Sequence, residues 1–188
     1  MTVTIRPERP VDAPAREALL DVAYGDERHT KPSAKLRNGR KPADGLSLVA
    51  FEHGCMLGTV RLWPVHAGRG RPALLLGPLA VHPDHRGHGI GAALMQRALI
   101  VAAERGHGAV LLVGDAAYYG RFGFSAAKTG ALAIKGADPA RLLAAELKAG
   151  ALDGACGIVT ASGERLRKPG LGALAPFKAR PRLVPRAA

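Results

Sequence analysis

The sequence predicts a layered α/β (α+β) domain in which helices flank a mixed sheet. Two observations carry that prediction. Short apolar or alternating segments interleave with segments of helical period, in the order strand, helix, helix, strand, strand, strand, helix, strand, helix. The chain also has 188 residues, 47% of them apolar and 22% charged, which suits one core-forming domain with or without a small extension.

Thr2 to Arg6 alternates as a short strand. Asp12, as a candidate N-cap, and Pro14 then open a helix whose apolar face is Leu19, Leu20 and Ala23, and Gly25 ends it. Residues 26–44 are polar, with one short helix expected over Ser33 to Arg37. Leu46 to Glu52 and Met56 to Pro64 read as strands joined by His53-Gly54, a hairpin spacing. Ala73 to Val81 is a buried strand whose Gly77-Pro78 predicts a bulge or splay, because proline cannot donate to a ladder. Gly89 to Arg105 is the clearest helix, with Ile90, Leu94, Ala98 and Val101 on one face and Gly106 as its stop. Ala109 to Val113 is a strand, Ala116 to Arg121 a short helix, and Leu132 to Lys135 a further strand candidate. Ala140 to Leu147 scores as a helix by propensity, and Ile158-Val159 follows two glycines as a strand tip. The division expected is a domain over 1–160 and a basic, Pro/Gly-rich tail over 161–188, either extended or wrapped on the domain as an arm.

Composition excludes several classes of protein. Aromatics are only 4%, so Leu, Val and Ala must fill the core. No apolar run reaches the roughly 18 residues a membrane span needs, and the first dozen residues hold no apolar segment of a secretory signal. Cys55 and Cys156 form no C-x-x-C, so reduced thiols and a cytoplasmic location are expected. Lys and Arg exceed Asp and Glu by 27 to 15, a net charge of +12. Such a balance suits an anionic ligand, nucleic acid or a membrane surface. Half of it, +6, falls between Glu164 and Ala188, where it reads as a solvated tail.

The chemistry is concentrated in His82-Pro-Asp-His-Arg-Gly-His-Gly-Ile-Gly91, between the long strand and the best helix. Three alternating glycines let the backbone turn sharply and approach a ligand. The free amides of the first helical turn, the helix dipole and Arg86 then make a phosphate or diphosphate site. An ordinary glycine-rich connection is the plain alternative. Gly87-x-Gly89-x-x-Ala92, with Asp115 downstream, also fits a dinucleotide fingerprint. Against that, the motif follows several antiparallel strands and no second mononucleotide-binding half follows it.

Arg86-x-x-Gly89-x-Gly91 resembles the pyrophosphate loop of the GNAT superfamily of acyl-CoA-dependent N-acyltransferases. Leu79-Ala80-Val81-His82-Pro83 looks like that superfamily's splayed central strand, and Ala92-Ala93-Leu94-Met95 like the first turns of its helix. Ala116 to Phe124 resembles its last motif, a Tyr five residues before the Phe of a Gly-Phe pair, here Tyr119 and Phe124. The resemblance covers Leu74 to Phe124 clearly and implies a mostly antiparallel central sheet with a splayed strand. Glu146 to Thr160 is similar to the closing strands of a subset of bacterial GNAT proteins, which makes Leu142 to Leu147 a strand, against its propensity. Many members carry Asn where Gly114-Asp115 stands, so an Asn contact to the pantetheine arm is not expected here.

The resemblance implies direct transfer of an acetyl group from acetyl-CoA to an amine of a small-molecule or peptide acceptor. It places the cofactor on Leu79, Ala80 and Val81 of the splayed strand and on Arg86, Gly87, His88, Gly89, Ile90, Gly91 and Ala92 of the loop. Tyr119 would protonate the leaving thiolate, with Tyr118 as the substitute if the helix is rotated by one position. The base is left open between Glu52, Asp26, Glu27 and a water chain. His82, His85 and His88 recur every third residue but sit in a Gly/Pro loop, so no metal is expected. A homodimer is compatible with this reading. A non-catalytic acyl-CoA or nucleotide sensor on the same scaffold and a basic nucleic-acid-binding protein are the alternatives.

Overall fold

The computed structural model describes residues 2–166; most of the expected tail, 167–188, lies outside the described residues. The elements are β1 (Thr4–Pro7), α1 (Ala13–Tyr24), α2 (Pro32–Lys35), β2 (Ser47–Glu52), β3 (Cys55–His66), β4 (Pro72–Val81), α3 (Ile90–Glu104), β5 (Ala109–Val113), α4 (Ala116–Tyr119), β6 (Leu132–Ala133), β7 (Leu142–Glu146), β8 (Gly157–Ile158) and β9 (Thr160–Ala161). The main sheet runs β1-β2-β3-β4-β5-β7, with β9 added to β3. All of its pairings are antiparallel except β4 with β5. This is the mixed, mostly antiparallel sheet flanked by helices that the sequence predicts.

β2 and β3 are joined by His53 and Gly54 with φ of 48° and 81°. Positive φ at both central residues is the type I′ requirement, so this tight hairpin tolerates little beside glycine at its second position. Alternation along the strands divides the core between the two faces of the sheet. Leu74, Leu76, Val110, Leu112, Leu143 and Ala145 pack with Ile90, Leu94, Met95, Ala98 and Ala102 of α3. Ala73, Leu75, Ala109, Leu111, Leu142 and Ala144 pack on the other face with Leu132, Ile134, Leu152 and Val159. Strands covered on both sides need apolar residues at every position, which is why these runs do not alternate.

Leu142–Glu146 settles the conflict between propensity and resemblance. It pairs antiparallel with β5 from Ala109↔Glu146 to Val113↔Leu142, so a helix-favouring Leu-Leu-Ala-Ala segment is held as a strand by the ladder and by burial on both faces. Asp12 precedes α1 as expected, but its carboxylate caps no α1 amide. It turns back to Arg6, at 2.6 and 2.9 Å, and to the Arg9 amide at 2.7 Å. The Arg6 guanidinium holds this carboxyl well below the usual carboxylate range.

The central splay has a local cause. β4 and β5 are paired only at Leu74↔Val110 and Leu75↔Leu111. Beyond these, two residues of β4, Gly77 and Pro78, face Arg61 alone, between Val60↔Leu79 and Leu62↔Leu76. This is the expected bulge; Trp63 Nε1 donates to the Gly77 carbonyl at 2.6 Å and fixes it. β4 bends away from β5, and α4 follows β5 across the opening.

The first residues of the expected tail pack on the domain as an arm. β9 pairs with Val65 and His66 of β3, the Ser162 and Gly163 amides donate to Pro64, and Arg165 bridges to Arg40.

Candidate active site

The loop after β4 makes one turn of 3-10 helix at Pro83–His85, then reaches α3 through Arg86 and three further residues. Gly89 is the residue before α3, in the left-handed region at φ 78°, and no side chain caps the helix. The amides of Ile90, Gly91 and Ala92 therefore sit at the positive end of a 15-residue helix dipole. A Cβ at Gly87 or Gly89 would meet nothing within 4 Å. The space above the helix end is open, and the backbone angle is what requires glycine there.

Beside this loop runs the free edge of β4. The Tyr24 hydroxyl, at the end of α1, donates to the Leu79 carbonyl. Leu79 thus turns its backbone groups away from β3, and by alternation so does Val81, whereas Ala80 faces Thr59 of β3. Of the three strand residues named from the sequence, Leu79 and Val81 present amides to the opening and Ala80 contributes a wall.

These parts line one cleft of about 550 Å³. Leu79, Ala80, Val81, Arg86, Gly87, Gly89, Ile90, Gly91, Ala92 and Tyr119 all lie on it, together with Ala23, Tyr24, His85, Tyr118 and Arg121. Of the expected residues only His88 is absent from the lining; it is exposed. Arg86 extends toward the Ala23 carbonyl, 3.4 Å away, and Arg121 lies 4.3 Å from the Tyr118 ring centre, so two cations stand over the cleft.

The two adjacent tyrosines differ. A Cβ at Gly91 would lie 3.3 Å from the Tyr118 hydroxyl, so that group sits over the start of α3. Tyr119 is turned inward, packs edge-on to Phe124 with ring centres 6.1 Å apart, and lines both this cleft and a smaller one of about 100 Å³ between the diverging strands. Burial, with Tyr24 and Tyr118 adding, pushes its hydroxyl up to about 12, so it stays a neutral proton donor. A Cβ at Gly114 would overlap the Tyr119 ring, and Asp115 accepts the Ala117 amide at 2.9 Å as the cap of α4. Gly114-Asp115 therefore serves to seat the tyrosine.

The smaller cleft reaches from Tyr119 and Leu79 to Arg28 and Arg37, which also line a third cleft of about 340 Å³ with Glu17, Arg61, Trp63 and Pro78. Glu8 accepts Arg61 at 2.8 and 2.9 Å and also Arg16. Glu17 accepts Arg16 at 2.6 Å and Arg28 at 2.7 Å. Glu52, Asp26 and Glu27, the candidate bases, line none of these clefts, and among the described residues no carboxylate lines the first or the smallest.

Tyr24 and Arg37 were not singled out from the sequence. Tyr24 had one signal, an aromatic at the last turn of α1 just before the stop Gly25; Arg37 had none that set it apart among its basic neighbours. Among the described residues no cluster of His, Cys, Asp and Glu could hold a metal ion, and no helix is long and apolar enough to cross a membrane. Cys55 and Cys156 are exposed free thiols on none of the clefts.

Residues 14–124 match the family model described as acetyltransferase (GNAT) family. A GNAT family N-acetyltransferase of Escherichia coli, YhbS, solved in complex with CoA, is similar at 32% identity over 85% of this chain and 89% of its own, with a TM-score of 0.72. A GNAT family acetyltransferase of Brucella melitensis, solved in complex with acetyl-CoA, shares 35% identity over 66% of this chain and 83% of its own, with a TM-score of 0.57. No curated protein matches the chain.

Proposed function

The chain belongs to the GNAT acetyltransferase family, and from that premise we propose that it moves an acetyl group from acetyl-CoA to an amine by direct transfer. The observation that carries the reading is the single cleft that joins an uncapped helix N-terminus, two cations, a free strand edge and a protonated tyrosine. The diphosphate of CoA is assigned to the amides of Ile90 to Ala92 with Arg86, where dipole and charge act together. The amides of Leu79 and Val81 take the pantetheine arm and polarise the thioester carbonyl.

The neutral amine nitrogen attacks the thioester carbon, a C–N bond forms, and the C–S bond breaks. Tyr119 gives its proton to the departing sulfur, and the nitrogen loses its own to water. Among the described residues the lining beside Tyr119 holds no carboxylate, which supports a water route over the candidate bases. Burial makes this phenol a weaker acid than a free one, so it gives up its proton only as charge builds on sulfur.

The test is calorimetric titration with acetyl-CoA and with NAD, followed by acetyl transfer to a panel of amines. Binding of acetyl-CoA and turnover of any amine support the proposal; tighter binding of NAD than of CoA overturns it. CoA binding with no transfer to any amine would favour the sensor. Salt-dependent DNA binding that vanishes on removal of 164–188 would favour the nucleic-acid protein.

A further inference from the structure

Arg37 is a half-buried charge that no carboxylate pairs with among the described residues. It follows α2 and lines both the smallest cleft, beside Leu79 and Tyr119, and the adjoining cleft of about 340 Å³. Its Nε donates to the Ser33 carbonyl at 3.2 Å, and it forms no ion pair among the described residues. Residues 167–188 contain no Asp or Glu, so no acidic side chain of that segment can pair with it. The neighbouring carboxylates are already engaged, Glu8 with Arg16 and Arg61, and Glu17 with Arg16 and Arg28.

A half-buried guanidinium without a counter-ion is costly, and buried charges in proteins are ordinarily paired. Burial, opposed by Tyr24 and helped by Arg61, holds Arg37 down to about 10, still charged at neutral pH. Its planar fork matches a carboxylate or a phosphate. Glu17 and Glu8 offset Arg28 and Arg61, but Lys35 and Arg40 also line this cleft and form no ion pair among the described residues, so the field there favours an anion.

Resting on the acetyltransferase reading, we propose that the acceptor is a small amine that also carries an anionic group, which Arg37 binds while the amine points to the splay at Leu79 and Tyr119. The cleft volume of about 340 Å³ fits the body of a small molecule. The shared chemistry is an anion on an amine; a carboxylate and a phosphate are its two sources.

The experiment uses matched acceptors: α-amino acids against their primary amides, and phosphoethanolamine against ethanolamine. The wild type should show kcat/KM at least tenfold higher for the anionic member of a pair. Arg37→Gln should raise the acceptor KM by about tenfold to a hundredfold and abolish the preference. The acetyl-CoA KM should stay within about twofold, since Arg37 does not line the first cleft. Arg37→Lys should restore part of the preference, which separates lost charge from lost fold. The carboxylate and phosphate pairs tell which anion is read.

Equal use of both members of every pair, preference for the neutral member, or a preference that survives Arg37→Gln overturns the inference. If no acceptor turns over, direct calorimetric binding of the same pairs replaces kinetics, and equal or absent binding overturns it. Failure of acetyl-CoA to bind would instead sink the acetyltransferase reading, with anion binding still measurable on the free protein.

Discussion

The two sides of the splay are built from different materials. On one side the proposed acetyl-CoA cleft is mostly backbone: the amides of α3, the free edge of β4, and glycines that keep the approach open. On the other, the proposed acceptor cleft is mostly side chain, with Arg28, Arg37, Arg61, Trp63 and Glu17 drawn from α1, β3 and the segment between α1 and β2. A backbone site needs a short contiguous stretch with set φ values. A side-chain site can be assembled from anywhere the fold converges. The first can serve a ligand common to many proteins, while the second can be rewritten residue by residue.

The largest expected effect lies where the two sides meet. Tyr119→Phe keeps the ring and removes the donor, so kcat should fall by about a hundredfold to ten-thousandfold. The acetyl-CoA KM should move little, because a late proton transfer stabilises the transition state. Tyr118→Phe, with its hydroxyl over α3, should stay within about threefold; successive helix residues point roughly 100° apart. Because the Tyr119 hydroxyl is raised to about 12, its protonated form persists as pH rises, and steady-state rates should show no fall from its ionisation below about pH 11. If Tyr118→Phe loses activity and Tyr119→Phe does not, the roles are exchanged.

Gly89→Val tests the backbone side. A β-branched residue at φ 78° costs about 1–2 kcal/mol in strain and fills the space over the helix end. Calorimetry should show acetyl-CoA affinity reduced by about tenfold or more, with any acceptor preference unchanged. Unaltered affinity in a folded variant would remove the loop from the site.

Gly114→Ala sharpens the boundary between the two sides. Its Cβ overlaps the Tyr119 ring, so the ring must shift. Thermal unfolding should show a loss of about 1–3 kcal/mol, and kcat should fall while CoA affinity is retained. The smallest effect is expected from deleting Arg180 to Ala188, a Pro- and Arg-rich segment with little to bury. A large drop in melting temperature would mean that this segment packs on the domain.

The same contrast decides what could be read from the sequence. Arg86 to Ala92, His88 excepted, could be placed on the candidate cleft from sequence because glycine spacing records backbone requirements directly. Tyr119 was legible because Gly123-Phe124 sits at a fixed distance from it. Arg37 was not, since one arginine in a basic loop looks like any other until folding leaves it without a carboxylate. Tyr24 reaches the Leu79 carbonyl across 55 positions, which no local pattern encodes. Leu142–Glu146 was ambiguous because burial on both faces erases alternation. Asp12 looked like a cap, yet Arg6 competes for it more strongly than the helix amides.

The arm at 160–166 gives the molecule an order in time. Arg40 donates to the Gly163 carbonyl and Lys41 pairs with Glu164 at 2.8 Å, each across 123 positions of chain. Loop-closure entropy makes so distant a contact late to form. During synthesis the strand, loop and helix of 72–104 emerge together, long before the clasp on 39–41 exists. The proposed acceptor cleft, which Gly39 and Arg40 line, therefore gains this fastening only after the proposed diphosphate loop has been made. A chain cut before residue 160 should already hold the proposed diphosphate loop while the proposed acceptor cleft is still unfastened.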